Sequence, residues 1–257
     1  MPSGMNHAFP VQRPGLTALF FLILSSSSPW LSAATISIAV TSDFDVTLDS
    51  LRQQFEAVSE HRITVKPGDS REHYSQIMSG ADIDILLADD DRRPLALEQA
   101  GKTIEGSRFT YARQRLALWG LGGRTLSQQI LENHEFQTLA ITNPRLSRTG
   151  QASRTALENL SAWDGLENKL ILGSNPGQTY QFVIGGDVEL ALITYNQIIY
   201  GRFMQAGNFW LLPDGLYPDL PMEAVQLKQS EAAAEFMAFL KSDFGQAIIR
   251  RNGYHSP

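Results

Sequence analysis

The sequence predicts an α/β protein made of two units in tandem around a cleft, with mainly parallel sheets flanked by helices. Short apolar runs typical of strands alternate along the chain with segments whose apolar residues recur at helical spacing. The run at residues 83–88 is almost continuously apolar, as expected of a buried parallel strand. Strands that alternate with helices indicate βαβ connections and therefore the α/β class.

The first unit is expected to contain three strands, each followed by a helix. The strands are predicted at residues 35–41, 62–68 and 83–88. A helix after the first strand is predicted by the helical spacing of Leu48, Leu51, Phe55 and Val58. Further helices are predicted around residues 72–78 and from residue 95 onward.

The second unit repeats this alternation, and the chain ends in a helical segment. Its strands are predicted at residues 115–121, 138–142, 169–173 and 189–195, with helices at 151–160 and from about 179. A last strand is predicted at residues 224–227. The following residues, up to Gly253 as a terminator, have helical spacing of their apolar side chains.

Residues 1–34 have the pattern of a secretory signal peptide. Arg13 is their only Lys, Arg, Asp or Glu, and a short apolar run at 16–24 is followed by small residues, which predicts cleavage near Ala33 or Ala34. A membrane anchor is the alternative, but this run is shorter than the ~20 residues that a bilayer crossing needs. The chain has no cysteine, which excludes disulfides, thiolate metal sites and a lipid-bearing cysteine. A free periplasmic protein is therefore expected, if the source is a Gram-negative bacterium.

Composition excludes several classes of function. The 257 residues carry a net charge of −6, and loss of Arg13 leaves 20 basic against 27 acidic residues, or −7. No basic stripe of the kind that nucleic acid requires is present. Asp89, Asp90 and Asp91 form an acidic run in which we expect Asp90 to cap a helix and the others to be solvated. The spacing of the histidines does not fit a metal site. The sequence also contains no set of a base and a nucleophile that would indicate an enzyme. We therefore expect neither a metal site nor a cofactor.

Polar residues follow the predicted strands at the point where each one ends. They include Ser42 and Asp43, residues 68–72, residues 148–151, residues 174–179 and residues 194–196. Several of these loops open a helix, whose first N–H groups lack intrahelical partners and carry partial positive charge. Because ligands of open α/β sheets lie beyond the carboxyl ends of strands, these loops predict an anion site. Helix capping alone is the competing interpretation of each loop.

Six segments of the chain are similar to one known family, and they are residues 76–94, 108–119, 140–170, 177–183, 233–242 and 248–254. In these segments, and over nearly the whole chain after residue 34, the sequence resembles the periplasmic molybdate-binding proteins of ABC importers. This resemblance implies a two-lobed type II solute-binding protein fold. One lobe would comprise residues 35–114 and 222–257 and the other residues 115–221, with chain crossings near Arg115 and Pro221.

The resemblance also implies a set of residues that hold one tetrahedral oxyanion. The corresponding positions here are Asp43, Ser70, Thr149, Pro176 and Thr194, with Ser42, Arg71 and Tyr195 as secondary candidates. In the family, hydroxyl and backbone N–H groups hold the anion without a required positive side chain.

Asp43 and Pro176 depart from the family pattern. Asp43 stands where the family has Ser or Asn, and a carboxylate close to a dianion repels it. Pro176 stands where a backbone N–H is expected, and a missing bond to a charged acceptor costs roughly 1.5–3 kcal/mol. Pairing of Asp43 with Arg71, protonation of Asp43, or a change of ligand would each restore binding. Arg148 could add positive potential, and the alternative for Asp43 is an outward orientation as a helix cap with Ser42 facing the cleft.

The expected function is capture of molybdate or tungstate between the lobes and delivery to an inner-membrane ABC permease, by a protein that acts as a monomer. Two alternatives stay open. The protein could bind another small anion or polar solute, or it could be a periplasmic signalling partner that docks on a membrane receptor.

Overall fold

The structure is a computed structural model that describes residues 33–200 and 207–257. Most of the predicted signal peptide, residues 1–32, lies outside the described residues. Among the helices of the described ranges, none is long and apolar enough to cross a bilayer.

The first sheet has four strands in one direction and one in the other. Its strands are β1 (Thr35–Thr41), β2 (Arg62–Gly68), β3 (Ile85–Leu87), β4 (Phe109–Arg113) and β10 (Pro221–Gln226). Their order is β2-β1-β3-β10-β4, and β10 is antiparallel to both of its neighbours. The flanking helices are α1 (Asp45–Val58), α2 (Ser70–Met78), α3 (Arg92–Gln99), α8 (Glu231–Lys241) and α9 (Asp243–Arg251).

The second sheet has the same arrangement. Its strands are β5 (Leu116–Leu121), β6 (Leu139–Thr142), β7 (Leu170–Gly173), β8 (Leu190–Thr194) and β9 (Gly207–Leu211). Their order is β7-β6-β8-β5-β9, and β5 is antiparallel to both β8 and β9. The helices are α4 (Gln128–Glu132), α5 (Arg148–Asn159), α6 (Pro176–Ile184) and α7 (Tyr195–Tyr200). These two mixed, mainly parallel sheets flanked by helices confirm the predicted fold class.

Both faces of each sheet are covered by apolar side chains, which explains the continuous apolar runs in the strands. On one face of the first sheet, Phe44, Leu48 and Phe236 pack with strand residues, and on the other face Ile77 and Leu97 do so. The second sheet is covered on one face by side chains of α4 and α5 and on the other by those of α6.

The chain passes between the sheets twice, and the two crossings are hydrogen-bonded to each other. The first crossing is residues 114–115, between β4 and β5, and the second is residues 212–220, between β9 and β10. The Gln114 N–H donates to the Leu220 carbonyl at 3.0 Å, and the Leu212 N–H donates to the Leu116 carbonyl at 3.0 Å. The crossings lie close to Arg115 and Pro221, while the predicted lobe boundaries themselves stay a prediction.

Several elements differ from the sequence-based expectations. The strand predicted at residues 189–195 ends at Thr194, because Tyr195 begins α7. The C-terminal segment forms two helices, since the Ser242 side chain accepts a hydrogen bond from the Gly245 N–H and starts α9. The strands β4 and β9 and the short helices α4 and α7 were not separately predicted.

Candidate functional site

A cavity of about 920 Å³ lies where the loops of the two sheets meet. The first sheet contributes residues that follow β1, β2 and β3, among them Ser42, Asp43 and Arg71. The second sheet contributes the loops that follow β6 and β7, including Thr149 and Pro176. The cavity therefore occupies the carboxyl ends of parallel strands in both sheets, the position where α/β proteins bind ligands.

Three helices begin at this cavity. The Asp69 carboxylate caps α2 by accepting a hydrogen bond from the Arg71 N–H at 2.8 Å, and the Asn175 amide oxygen caps α6 through the Gln178 N–H at 2.8 Å. The helix α5 follows Ser147, whose hydroxyl bonds that of Thr149 at 2.6 Å. The convergence of three positive helix ends, one from the first sheet and two from the second, makes the cavity suited to an anion.

Pro176 is the first residue of α6, where the missing N–H of proline has little consequence for the helix. Gly177 follows it and also lines the cavity. The N–H of Gly177 lies in the first turn, where N–H groups have no intrahelical acceptor. It is therefore the backbone donor that this loop offers in place of the one missing at Pro176.

Gly150 sets how closely α5 approaches the second sheet. A Cβ atom at this position would lie 2.2 Å from the carbonyl oxygen of Thr142, at the end of β6. Only glycine permits this approach, which brings the first turn of α5 to the strand end. The sequence pattern 148–151 was noted as a helix start, but the close contact depends on the packing.

Asp43 lies at the cavity wall and is anchored through its backbone. Its carbonyl accepts hydrogen bonds from the Tyr254 hydroxyl at 2.5 Å and from the Asn196 amide at 3.4 Å. It follows β1 in a single 3-10 turn, Ser42–Phe44, and α1 begins two residues later without a side-chain cap. Asp43 is therefore not an outward-facing cap, and both Ser42 and Asp43 line the cavity.

The carboxyl of Asp43 has an unusual electrostatic environment. Burial, together with the neighbouring Asp89 carboxylate, raises the pKa of Asp43 to about 6. The pKa of Asp89 is raised as well, first by burial and further by Asp90, while the hydrogen bond with Ser70 opposes this shift. The Asp89 side chain is 41% exposed, as expected of a solvated residue, although one of its carboxylate oxygens is buried.

Several arginines line the cavity, but within the described ranges none of them forms an ion pair with Asp43. Arg93 pairs with Asp90, and Arg148 pairs with Asp91 at 2.7 Å. Within the described ranges, no ion pair includes Asp43, so the suggested pairing with Arg71 is not present. The other arginines at the cavity are Arg71, Arg92 and Arg145.

Ser70, Thr194 and Tyr195 are not among the residues that line the cavity. The Ser70 hydroxyl is buried and accepts a hydrogen bond from the Asp89 N–H at 3.1 Å. The Thr194 hydroxyl is fully buried and donates to the side-chain oxygen of Gln197 at 3.0 Å. Tyr195 packs against Phe209. The contact of these three residues with a ligand stays a prediction.

The sequence interpretation did not single out several cavity residues. Asp69, Asp89, Asn175 and Gly177 lie in the quoted loops or in the acidic run, but no pattern showed which of them would face the cavity. Asp90 was expected to cap a helix, and its carboxylate does accept a hydrogen bond from the Arg93 N–H at 2.9 Å. A group of three or more metal-ligating side chains is not found in the described part of the chain.

Comparison with known proteins identifies the family. The model of the bacterial extracellular solute-binding proteins matches residues 36–255. The chain belongs to this family. Two curated members are similar over most of their length: the molybdate-binding protein ModA of Azotobacter vinelandii, 32% identical over 86% of this chain and 90% of that protein, and ModA of Rhodobacter capsulatus, 30% identical over 94% and 96%.

A solved structure has the same fold. The periplasmic molybdate-binding protein of Azotobacter vinelandii superposes with a TM-score of 0.73 at 28% identity, over 86% of this chain and 99% of that one. The resemblance noted in the sequence is thereby confirmed.

Proposed function

We propose that this protein is the solute-binding component of an ABC importer, which captures molybdate or tungstate and delivers it to an inner-membrane permease. The observation that carries the proposal is the convergence of the first turns of α2, α5 and α6 on one cavity. It is supported by the names of the relatives, which are molybdate-binding proteins. A binding role, and not an enzymatic one, agrees with the family of substrate-binding proteins.

The cavity is far larger than one tetrahedral oxyanion. A volume of about 920 Å³ is at the upper end of ordinary ligand pockets. In the proposed mechanism the loops of the two sheets close over the anion by a hinge motion, which brings the donors of both sides into hydrogen-bond distance. Ser42, Asp43, Thr149 and the α6 start at Pro176 would contact the anion, and Arg71 would add positive potential.

Ser70 and Thr194 would then act on the anion only indirectly. Their hydroxyls hold the loops after β3 and β8 in place, and closure or a rotamer change would be needed for direct contact. The proposed location is the periplasm, reached after cleavage near Ala33 or Ala34, and the proposed working form is a monomer.

A second candidate ligand is another small polar solute that carries both charges. The carboxyls of Asp43 and Asp89 share the cavity with Arg71, Arg92 and Arg145. A zwitterion would pair with both the carboxyls and the arginines, whereas a dianion would pair only with the arginines.

Calorimetric titration of the purified mature protein with molybdate and tungstate at pH 5.5 tests the proposed function. We expect saturable binding of one anion per chain and a rise of the melting temperature, since a ligand at 100 times its Kd adds ~2.7 kcal/mol of stability. Sulfate at the same concentration is the control. Absence of heat and of a thermal shift with both metal oxyanions, from pH 5.5 to pH 8, would contradict the proposal.

A further inference from the structure

Asp43 is unexpected in an anion site, because its carboxyl is negatively charged when ionised. Its carboxyl lies among the residues that would surround the anion. Its backbone is fixed at the cavity wall, because its carbonyl is held by Tyr254 and Asn196 and the next residue, Phe44, is fully buried. An anion in the cavity therefore meets this carboxyl.

No cation of the described chain neutralises Asp43. Arg93 faces Asp90 and Asp89, and Arg148 faces Asp91. Asp89, the charged group that acts on Asp43, is itself acidic and has one buried carboxylate oxygen without a hydrogen-bond donor in the described residues. An added dianion would bring further negative charge to a place that already holds two carboxyls.

We propose that Asp43 makes anion capture proton-coupled: the oxyanion is bound together with one proton, which bridges the Asp43 carboxyl and an oxygen of the anion. This inference rests on the proposed function. The proton comes from the solvent, and no covalent bond of the anion is made or broken. The proton replaces a repulsion between like charges by an O–H···O⁻ hydrogen bond, which belongs to the strong class because its acceptor is charged.

The surroundings of Asp43 favour uptake of this proton. Burial and Asp89 raise the pKa of its carboxyl to about 6 even without an anion. A dianion in contact raises it further, because a like charge disfavours the ionised form. Above about pH 6 the free protein has Asp43 ionised, so binding must then take up a proton and affinity falls as the pH rises.

Among the other titratable groups near Asp43, Asp89 also has its pKa raised by burial, so the Asp43→Asn variant is needed to separate the two carboxyls. The buried hydroxyls of Tyr111 and Tyr254 have their pKa raised well above the usual value by burial, so they keep their protons throughout this range. On α2, the His73 ring nitrogen lies 3.2 Å from the Val40 carbonyl and faces β1. The same helix start carries Asp69, which caps it, and Arg71.

Titration of the mature protein with molybdate from pH 5.5 to pH 8 tests the proposal. We expect a nearly constant Kd below pH 6 and a rise of about tenfold per pH unit above it. At pH 7, calorimetry in two buffers of different ionisation enthalpy should show uptake of close to one proton per anion bound.

Asp43→Asn is the decisive variant, because its amide has the shape of the carboxyl and donates a hydrogen bond without a charge. Its Kd should be independent of pH and, at pH 8, on the order of a hundredfold lower than that of the unmodified protein. Asp164→Asn removes the same charge from an exposed position of the second sheet's unit and should keep the original pH profile. Unchanged circular dichroism of both variants shows that they fold.

The outcomes separate the inference from the proposed function. Binding of molybdate with a flat pH profile and no proton uptake would overturn the inference and leave the function standing. A pH dependence that persists in Asp43→Asn would also overturn it. Failure of both proteins to bind molybdate or tungstate at any pH would overturn the proposed function.

Discussion

At the residue scale, Ser70 shows how a hydroxyl at a predicted site position can serve the structure instead. It lies at the start of α2 and is 2% exposed. Its oxygen accepts the hydrogen bond of the Asp89 N–H, which ties the helix to the loop after β3. This loop carries Asp89, whose charge acts on Asp43.

Ser70→Ala should therefore destabilise the protein. Loss of the hydroxyl leaves the Asp89 N–H without its acceptor, and an unsatisfied buried donor costs about 1–3 kcal/mol. Urea unfolding followed by fluorescence would measure the change. Ser75→Ala, at an exposed position of the same helix, is the matched control and should change stability by less than about 0.5 kcal/mol. Equal effects of the two substitutions would refute the structural role of Ser70.

The sequence predicted those cavity-lining residues whose placement depends only on their position along the backbone. Ser42, Asp43, Thr149 and Pro176 follow strand ends, and the topology places those ends together. Thr194 is the last residue of β8, but its hydroxyl bonds Gln197, which lies one turn later in α7. The choice among competing hydrogen-bond partners depends on three-dimensional packing and cannot be read from the spacing of the residues.

At the element scale, the position of α5 depends on the contact between Gly150 and the end of β6. The helix carries Thr149 in its first turn and begins with Arg148, so any shift of this end moves cavity groups from the second sheet. Helix propensity alone favours alanine over glycine by up to ~1 kcal/mol. This gain is opposed by the 2.2 Å separation that a Cβ added at Gly150 would have from the Thr142 carbonyl oxygen. A strand end cannot move away as a flexible side chain can.

Gly150→Ala should lower both stability and anion affinity. Overpacking costs typically 1–3 kcal/mol, which exceeds the gain in helix propensity. Melting temperature and the molybdate Kd at pH 5.5 are the measurements. Gly123→Ala, where an added Cβ has no neighbour within 4 Å, is the control and should leave both values nearly unchanged. A Gly150→Ala protein with normal melting and normal Kd would show that α5 has room to shift.

The elements themselves were largely predictable, and the exceptions have a common cause. Strands with strong apolar character, such as those at β1, β6 and β8, lie close to their predicted bounds. The antiparallel placement of β5 and β10 was not predicted, since it results from where the chain enters each sheet. Local periodicity reports which residues are buried, but it does not report the strand against which they pair.

At the scale of the whole molecule, side-chain contacts connect the helical layers of the two sheets. Arg148, at the start of α5, pairs with Asp91, which precedes α3. The hydroxyls of Thr47 and Tyr200 are hydrogen-bonded between α1 and α7. Partly exposed ion pairs contribute about 0–1 kcal/mol, so the Arg148–Asp91 pair can bias an open–closed equilibrium but not dictate it.

Asp91→Asn should shift the anion-free protein towards more open forms. Loss of up to ~1 kcal/mol changes a two-state population by up to about fivefold. Small-angle scattering should show a larger radius of gyration than for the unmodified protein without anion, and the same radius with saturating molybdate.

Glu158→Gln is the control for this experiment. It breaks the pair with Arg154, which lies within α5 and does not cross the cavity. We expect no change of the radius of gyration for this variant. An identical radius for Asp91→Asn and the unmodified protein would show that the cross-cavity pair has no effect on opening.

The two hydrogen-bonded crossings have a mechanical consequence. Because these two connecting segments are held together by hydrogen bonds, we expect the proposed hinge motion to be mainly a rotation about the line that joins them. The second crossing contains Pro213 and Pro218, whose fixed φ angles stiffen it further. A single distance between two labels on opposite rims of the cavity would then follow the proposed closure.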